Sequence, residues 1–469
     1  MRKLFRFMPM IALIIIVWVL AGVGPGAPQH LDGTTKIAAQ VQADLAALQP
    51  GAMMTVIVTL ADQADTTQIG AMGWADRQAA VIIALRTRAA ASQEPIRALL
   101  EARGAQGKVS EFDAFWLFNG LSVTATAEVI NELAARADVV SITTDAVSLI
   151  PASRPTASLS VENLAVINAP ALWAMGYYGQ GVVIASMDTG VDVSHPDLAA
   201  SWRGGSNSWY DPYNEHPTTP TDLDGHGTWT MGVMVGGNRS GAAIGIAPQA
   251  QWIAVKIFND TGMTTATAIH KGFQWLLDPD GDPNTADAPQ VVNNSWDNGS
   301  PGCDLEFQRD LQALRAAGIV PVFAAGNYGP DGASSASPGN YPEAFAVGAV
   351  DNADRLYTFS SRGPATCGEA PTVYPELVAP GVDINTTERH GLYYLATSTS
   401  LAAPHVSGAL ALLLSAFPGL TVEQQELALT STAVDLGIPG PDNVFGYGRL
   451  DILAAYQWLA NGGSGDERP

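Results

Sequence analysis

Apolar positions follow two different patterns along the chain, one before about residue 150 and one after it. Residues 53–60 (MMTVIVTL) are rich in β-branched side chains and predict a strand. Residues 75–102 carry Ala, Leu, Ile and Arg at helical spacing, which predicts one long helix or two short ones. Residues 109–118 and 121–126 flank Asn119-Gly120, a dipeptide that favours a hairpin turn. Residues 127–137 read as a helix and 139–144 as a strand. The order β-α-β-β-α-β predicts a small open-faced sheet with helices on one side. This segment contains no His, no Cys and no cluster of metal-ligand type.

The second pattern begins near residue 171. Short apolar runs at 182–187, 251–258, 291–294, 319–324 and 344–350 predict strands. Several are apolar throughout, as a parallel sheet covered on both faces requires. Helical patterns at 227–235, 264–277, 305–317, 400–416 and 422–432 lie between or after them. The fold class expected is therefore α/β, a doubly wound and mostly parallel sheet, preceded by a small α+β ferredoxin-like domain. The stretch 151–160 is polar and proline-bearing and reads as a linker, and 461–469 as a polar tail.

Composition narrows the function. The formal net charge is −22, with 23 Lys and Arg against 45 Asp and Glu. Such a chain is repelled by nucleic acid and by anionic membranes. Arg2, Lys3 and Arg6 precede an apolar run at 8–23, and small and turn-forming residues follow at 24–28. This is the order of a secretory signal, with cleavage expected near Ala27; the other reading is a retained membrane anchor. Cys303 and Cys367 are the two cysteines, and export favours a disulfide between them over two free thiols.

Four short motifs carry candidate chemistry. Asp188 follows the run VVIASM in Asp188-Thr189-Gly190, where ligands of open parallel sheets bind. His226 lies between glycines in Asp224-Gly225-His226-Gly227-Thr228. Ser400 opens a helix in Ser398-Thr399-Ser400-Leu401-Ala402-Ala403-Pro404-His405. Asn327 ends Ala324-Ala325-Gly326-Asn327 and offers a side-chain amide. Taken singly, the Asp reads as a turn cap, the His as structural, the Ser as an N-cap and the Asn as a turn residue. Together, in the order Asp…His…Ser, they resemble the signature stretches of subtilisin-like (S8) serine peptidases over residues 168–458. Another serine hydrolase would show Gly-x-Ser-x-Gly and the order Ser…Asp…His, and neither is seen. The stretches Ala288-Pro289-Gln290-Val291-Val292-Asn293-Asn294-Ser295-Trp296 and Trp252-Ile253-Ala254-Val255-Lys256 look most like the bacillopeptidase F-type branch.

The resemblance implies a triad of Asp188, His226 and Ser400, an oxyanion donor in Asn327, and peptide or protein substrates. It also implies that 52–150 is an inhibitor-type propeptide, cut off between about 150 and 161, so that the chain is a secreted zymogen. The expected division is signal 1–27, lead-in 28–51, propeptide 52–150, maturation region 151–167, peptidase domain 168–459 and tail 460–469. By the same resemblance Ser295, Trp296 and Asp297 line the first specificity pocket, with Ala324, Ala325 and Gly326 opposite. Asp297 stands where Gly is common, and points either to a basic substrate side chain or to solvent. Ser398 replaces a usual pocket Gly, which puts shape and backbone freedom there in question. Trp229 replaces a usual second His, and Leu401 a usual Met. No cofactor is expected for the chemistry, and structural calcium is the metal for which the chain offers candidate ligands. Asp197 resembles a family calcium ligand, but Arg239 stands in its partner loop. Asp278, Asp280 and Asp282 alternate as oxygen ligands would, although Pro283 breaks the loop pattern; the plainer reading is an acidic solvated loop.

Overall fold

The computed structural model describes residues 36–67, 69, 72–149, 154–155 and 162–463. The expected signal segment, most of the maturation linker and the end of the tail lie outside the described residues.

The N-terminal domain contains α1 (Ala39–Ala47), β1 (Met53–Leu60), α2 (Trp74–Gly104), β2 (Val109–Phe115), β3 (Gly120–Thr126), α3 (Ala127–Ala134) and β4 (Val139–Thr144). Its strands form one antiparallel sheet in the order β2-β3-β1-β4. Side chains alternate across a strand, and β1 uses both faces. Val56, Val58 and Leu60 pack with Ile96 and Leu100 of α2 and with Val129, Ile130 and Leu133 of α3. Ile57, between them, belongs to a different core, with Phe273 and Leu276. The helix expected as one or two pieces is one, and it runs through Pro95. Helix α1 lies in the lead-in where no pattern was evident; Val41 is its one buried residue.

After a two-residue strand β5 (Arg154–Pro155) come α4 (Glu162–Val166), α5 (Ala169–Ala174), β6 (Val183–Asp188), β7 (Trp209–Tyr210), α6 (His226–Val235) and β8 (Gln251–Lys256). The chain continues with α7 (Ala266–Leu277), β9 (Val291–Asn294), α8 (Gln308–Ala316), β10 (Val320–Ala324), β11 (Phe345–Val350) and β12 (Leu377–Pro380). It ends with β13 (Ile384–Glu388), β14 (Leu392–Thr397), α9 (Thr399–Ala416), α10 (Val422–Ser431) and α11 (Ile452–Ala460). Seven strands form a parallel sheet in the order β12-β11-β10-β9-β6-β8-β7. β13, β14 and β5 form a separate antiparallel ribbon.

Helices cover both faces of the parallel sheet, which is why its strands read as apolar runs. Ile184, Val291, Val320 and Val347 face the core built around α6 and α9. Ala185, Met187, Val292 and Phe323 face the opposite core, which α7 and α8 close. Helix α9 is buried on every side from Thr399 to Leu414. It is long and apolar enough to match a membrane span by composition, but here it is the central core helix.

Candidate active site

β6 comes first in the parallel sheet, with β8 on one side and β9 on the other. The winding direction therefore reverses between β6 and β9, and the carboxyl ends of these two strands leave a crevice. Ser186 pairs with Asn293 across them. Two residues further on, Asp188 and Ser295 reach the same level on strands about 4.8 Å apart.

Asp188 is 2% exposed and His226 1%. His226 Nδ1 lies 2.8 Å from Asp188 Oδ1, which also accepts the amide of Thr189 at 2.7 Å. A carboxylate only accepts, so Nδ1 carries the proton and Nε2 the lone pair. That Nε2 is buried and has no hydrogen-bond partner. Burial pulls the imidazole pKa down, but the charge of Asp188 and its hydrogen bond, with Asp224 and Asp222 beyond, outweigh it and leave the pKa raised. Two glycines allow this close approach. A Cβ on Gly190, at φ +113°, would sit 1.9 Å from the Thr221 carbonyl oxygen, and one on Gly227 would sit 2.1 Å from the Gly190 oxygen.

Sequence reasoning missed Asp222. It accepts from Thr189 Oγ1 (3.0 Å), from the amides of Asp224, Gly225 and Thr228 (3.0, 2.8 and 3.0 Å) and from Thr228 Oγ1 (2.6 Å). It thus ties the Asp188 turn to the start of α6. The one signal for it is a second Asp four residues before the histidine.

Ser400 lies in the first turn of α9, which packs against α6. Its Oγ donates to the carbonyl of Ser295 at 3.2 Å, and the Ser295 hydroxyl donates to the Ser400 carbonyl at 2.8 Å. The reason lies four residues on. Pro404 has no N–H for the Ser400 carbonyl, so the Ser295 hydroxyl supplies the missing donor. No hydrogen bond joins Ser400 to His226: the single hydroxyl proton is committed to Ser295. Asn327 Oδ1 accepts the amide and hydroxyl of Thr399 at 3.0 and 3.2 Å. Its oxygen is thereby spent on the start of α9, and the NH2 end of the amide is turned the other way.

The other expected pocket residues divide. Ala324, Ala325 and Gly326 are buried at the end of β10, beside Ser295. Trp296 is a correction: its ring is 2% exposed and packs on Phe273, Phe307 and Phe323, so it faces the core and not a substrate. Asp297 does not point to solvent. It is 5% exposed, accepts from the Tyr328 hydroxyl and from the Gly299 amide, and burial pushes its pKa up. Ser398 is extended at φ −177°, a conformation open to any residue, so no glycine is needed there. Trp229, in place of the usual His, stacks on Tyr394 with centroids 4.6 Å apart and donates to Glu388.

Both oxygens of Asp197 are taken by protein donors, the Arg239 amide and the Tyr393 hydroxyl, each at 2.6 Å. Asp278 and Asp280 converge as expected, but with Asp287 as the third carboxylate. Asp282 instead accepts the amide and side chain of Asn284. Cys303 and Cys367 form a disulfide.

The family model described as "Subtilase family" matches residues 179–448. Bacillopeptidase F of Bacillus subtilis (strain 168) is 37% identical over 421 residues, covering 82% of this chain and 29% of that protein. The chain thus spans less than a third of that relative's length. Subtilisin E of the same strain is 36% identical over 295 residues, 62% of this chain and 70% of that protein. Subtilisin BL of Lederbergia lenta is 33% identical over 290 residues, 62% and 96% respectively.

Proposed function

The chain belongs to the subtilase family of serine endopeptidases, and from that premise we propose that Asp188, His226 and Ser400 are its catalytic triad and Asn327 its oxyanion donor. The observation that carries the proposal is the buried 2.8 Å contact between Asp188 and His226, which leaves Nε2 buried without a hydrogen-bond partner.

The mechanism follows from these groups. When substrate enters, the Ser400 hydroxyl leaves the Ser295 carbonyl and passes its proton to His226 Nε2. Oγ attacks the scissile carbonyl carbon, and the carbonyl electrons move onto oxygen. Asn327 Nδ2 and the Ser400 amide donate to that oxyanion, at the positive end of the 18-residue helix α9. Asp188 balances the imidazolium and keeps its ring oriented. His226 then protonates the leaving amine, the C–N bond breaks, and the acyl-enzyme remains. Water, deprotonated by the same Nε2, attacks it and restores Ser400. No metal is needed for any of these steps.

The chain is read as an exported precursor that acts on peptides and proteins, and whose N-terminal domain, 52–150, is an inhibitor-type propeptide that blocks the cleft until it is cut off. The contact of Phe115 and Phe118 with the peptidase core supports this. So does the pairing of β5, in the maturation region, with β14, which leads into α9.

A fluorophosphonate probe should label the wild-type enzyme at Ser400 and leave Ser400→Ala unlabelled. Purified wild-type precursor should acquire a new N-terminus between about 150 and 161, and Ser400→Ala should stay whole. Labelling at another serine would overturn the triad. Unchanged processing in the variant would overturn self-cleavage.

A further inference from the structure

Asp297 is a buried carboxylate beside the reacting groups, and the steps above do not use it. Strands β9 and β10 run parallel with Asn294 beside Phe323. Carried forward, that register sets Ser295 beside Ala324 and Asp297 beside Gly326. Ser295 exchanges hydrogen bonds with Ser400, and Asn327, which follows Gly326, accepts from Thr399. The carbonyl that Ser400 attacks therefore sits against both strand ends. The side chain of the residue that owns this carbonyl enters the space between them.

Tyr328 spans that space. Its ring lies over Gly326, where an added Cβ would sit 3.2 Å from two ring carbons. Its hydroxyl reaches across to donate to Asp297 Oδ1. The Gly299 amide donates to the same oxygen at 2.8 Å. Among the described residues no Lys, Arg or His pairs with Asp297, so a carboxylate that is 5% exposed faces neutral donors alone. Such a group lacks the positive charge that normally accompanies burial.

A long substrate side chain must move the Tyr328 ring to enter. An apolar one would take a donor from Asp297 and leave the carboxylate buried, which is costly. A guanidinium or ammonium instead replaces the hydroxyl with N–H donors and brings the missing charge.

We propose that Asp297 selects substrates with Arg or Lys at the residue whose carbonyl is attacked, and that the Tyr328 hydroxyl holds the carboxylate until such a side chain displaces it. Tyrosine and substrate cation are then alternative partners of one buried group. This assignment rests on the triad reading above and deepens it.

The test uses the enzyme produced from the full-length chain and a peptide series that varies at that residue alone: Arg, Lys, Leu, Phe or Ala. kcat/KM for Arg and Lys should exceed that for Leu and Phe by at least about tenfold. Asp297→Asn should lower the Arg-to-Leu ratio by at least about tenfold. Tyr328→Phe keeps the ring and removes the competing hydroxyl, so it should hold or raise the ratio. Benzamidine, which mimics an arginine side chain, should slow fluorophosphonate labelling of Ser400 in the wild type and much less in Asp297→Asn. Leu or Phe matching Arg in the wild type overturns the proposal. So does a preference for Ala over every longer side chain, since the Tyr328 ring would then be a fixed plug. Equal falls in the ratio for Asp297→Asn and Tyr328→Phe also overturn it, by reducing the pair to a structural tie. The wild-type series and Tyr328→Phe decide the matter even where Asp297→Asn does not fold. Labelling of Ser400 without benzamidine separates the two failures. Normal labelling with no preference for a basic residue sinks the role of Asp297 alone, whereas an unlabelled Ser400 sinks the triad.

Discussion

His226 must be neutral to accept a proton, and its carboxylate neighbours keep its pKa raised. The sign is therefore fixed: kcat/KM should rise with pH as the imidazolium loses its proton, with the limb above the ordinary histidine value of about 6.5. A pH profile of the processed enzyme on a small peptide substrate checks this; a limb below that value would contradict it. Removing one oxyanion donor in an enzyme of this family costs about 10²–10³ in turnover. Asn327→Ala is expected to fall in that range with little change in KM. It should also loosen the start of α9, because Thr399 loses its acceptor. Asp222 touches no reacting atom, yet it sets the angle at which α6 begins. Asp222→Asn replaces half of that acceptor set with a donor, and should lower kcat by roughly 10–100-fold through misplacement of the ring. Retained probe labelling at a reduced rate would mark it as a positioning residue.

At the scale of elements, the start of α9 is held by the exchange between Ser295 and Ser400. Ser295→Ala leaves the Ser400 carbonyl buried without a donor, which should cost about 1–3 kcal/mol in urea unfolding of the Ser400→Ala chain. With Pro404→Ala added, the backbone supplies an N–H, and the cost should shrink. Such an arrangement is invisible in a linear reading, because it depends on β9 and α9 being neighbours. What was legible had a local cause. The strands β6, β9, β10 and β11 are buried on both faces and read as apolar runs. The triad positions stand in short motifs whose glycines are demanded by close approach. The ribbon β13–β14 was missed because the buried run Asn385–Thr387 of β13 is polar. Thr386 and Thr387 are satisfied by the carbonyls of Trp229 and Thr228 at 2.6 and 2.7 Å, which a hydropathy pattern takes for loop. Helix α11 did leave a sign, the N-cap Asp451 before an apolar stretch. The pocket expectation for Trp296 fails because side-chain direction just past the carboxyl end of a strand is set by packing, here by three phenylalanines.

For the whole molecule, the Cys303–Cys367 bond closes a loop with a sequence separation of 64. Restricting the unfolded chain in this way is worth about 4 kcal/mol. Cys303→Ala/Cys367→Ala should therefore inactivate at a markedly lower temperature, while kcat at room temperature is nearly unchanged. Beyond the chain that links them, the two domains are also joined by packing. Val81, Ile82 and Leu85 of α2 lie in the same core as Leu276, Phe307 and Leu314, whereas Ile96 and Leu100 of the same helix serve the N-terminal domain's own core. One helix thus has two masters, and neither domain is at liberty to drift alone. A change of shape on α7 or α8 must be answered on α2, so lineages should inherit the two halves as matched sets. Hybrids that join this N-terminal half to a distant cousin's enzyme should give poor yields even where both parents fold well.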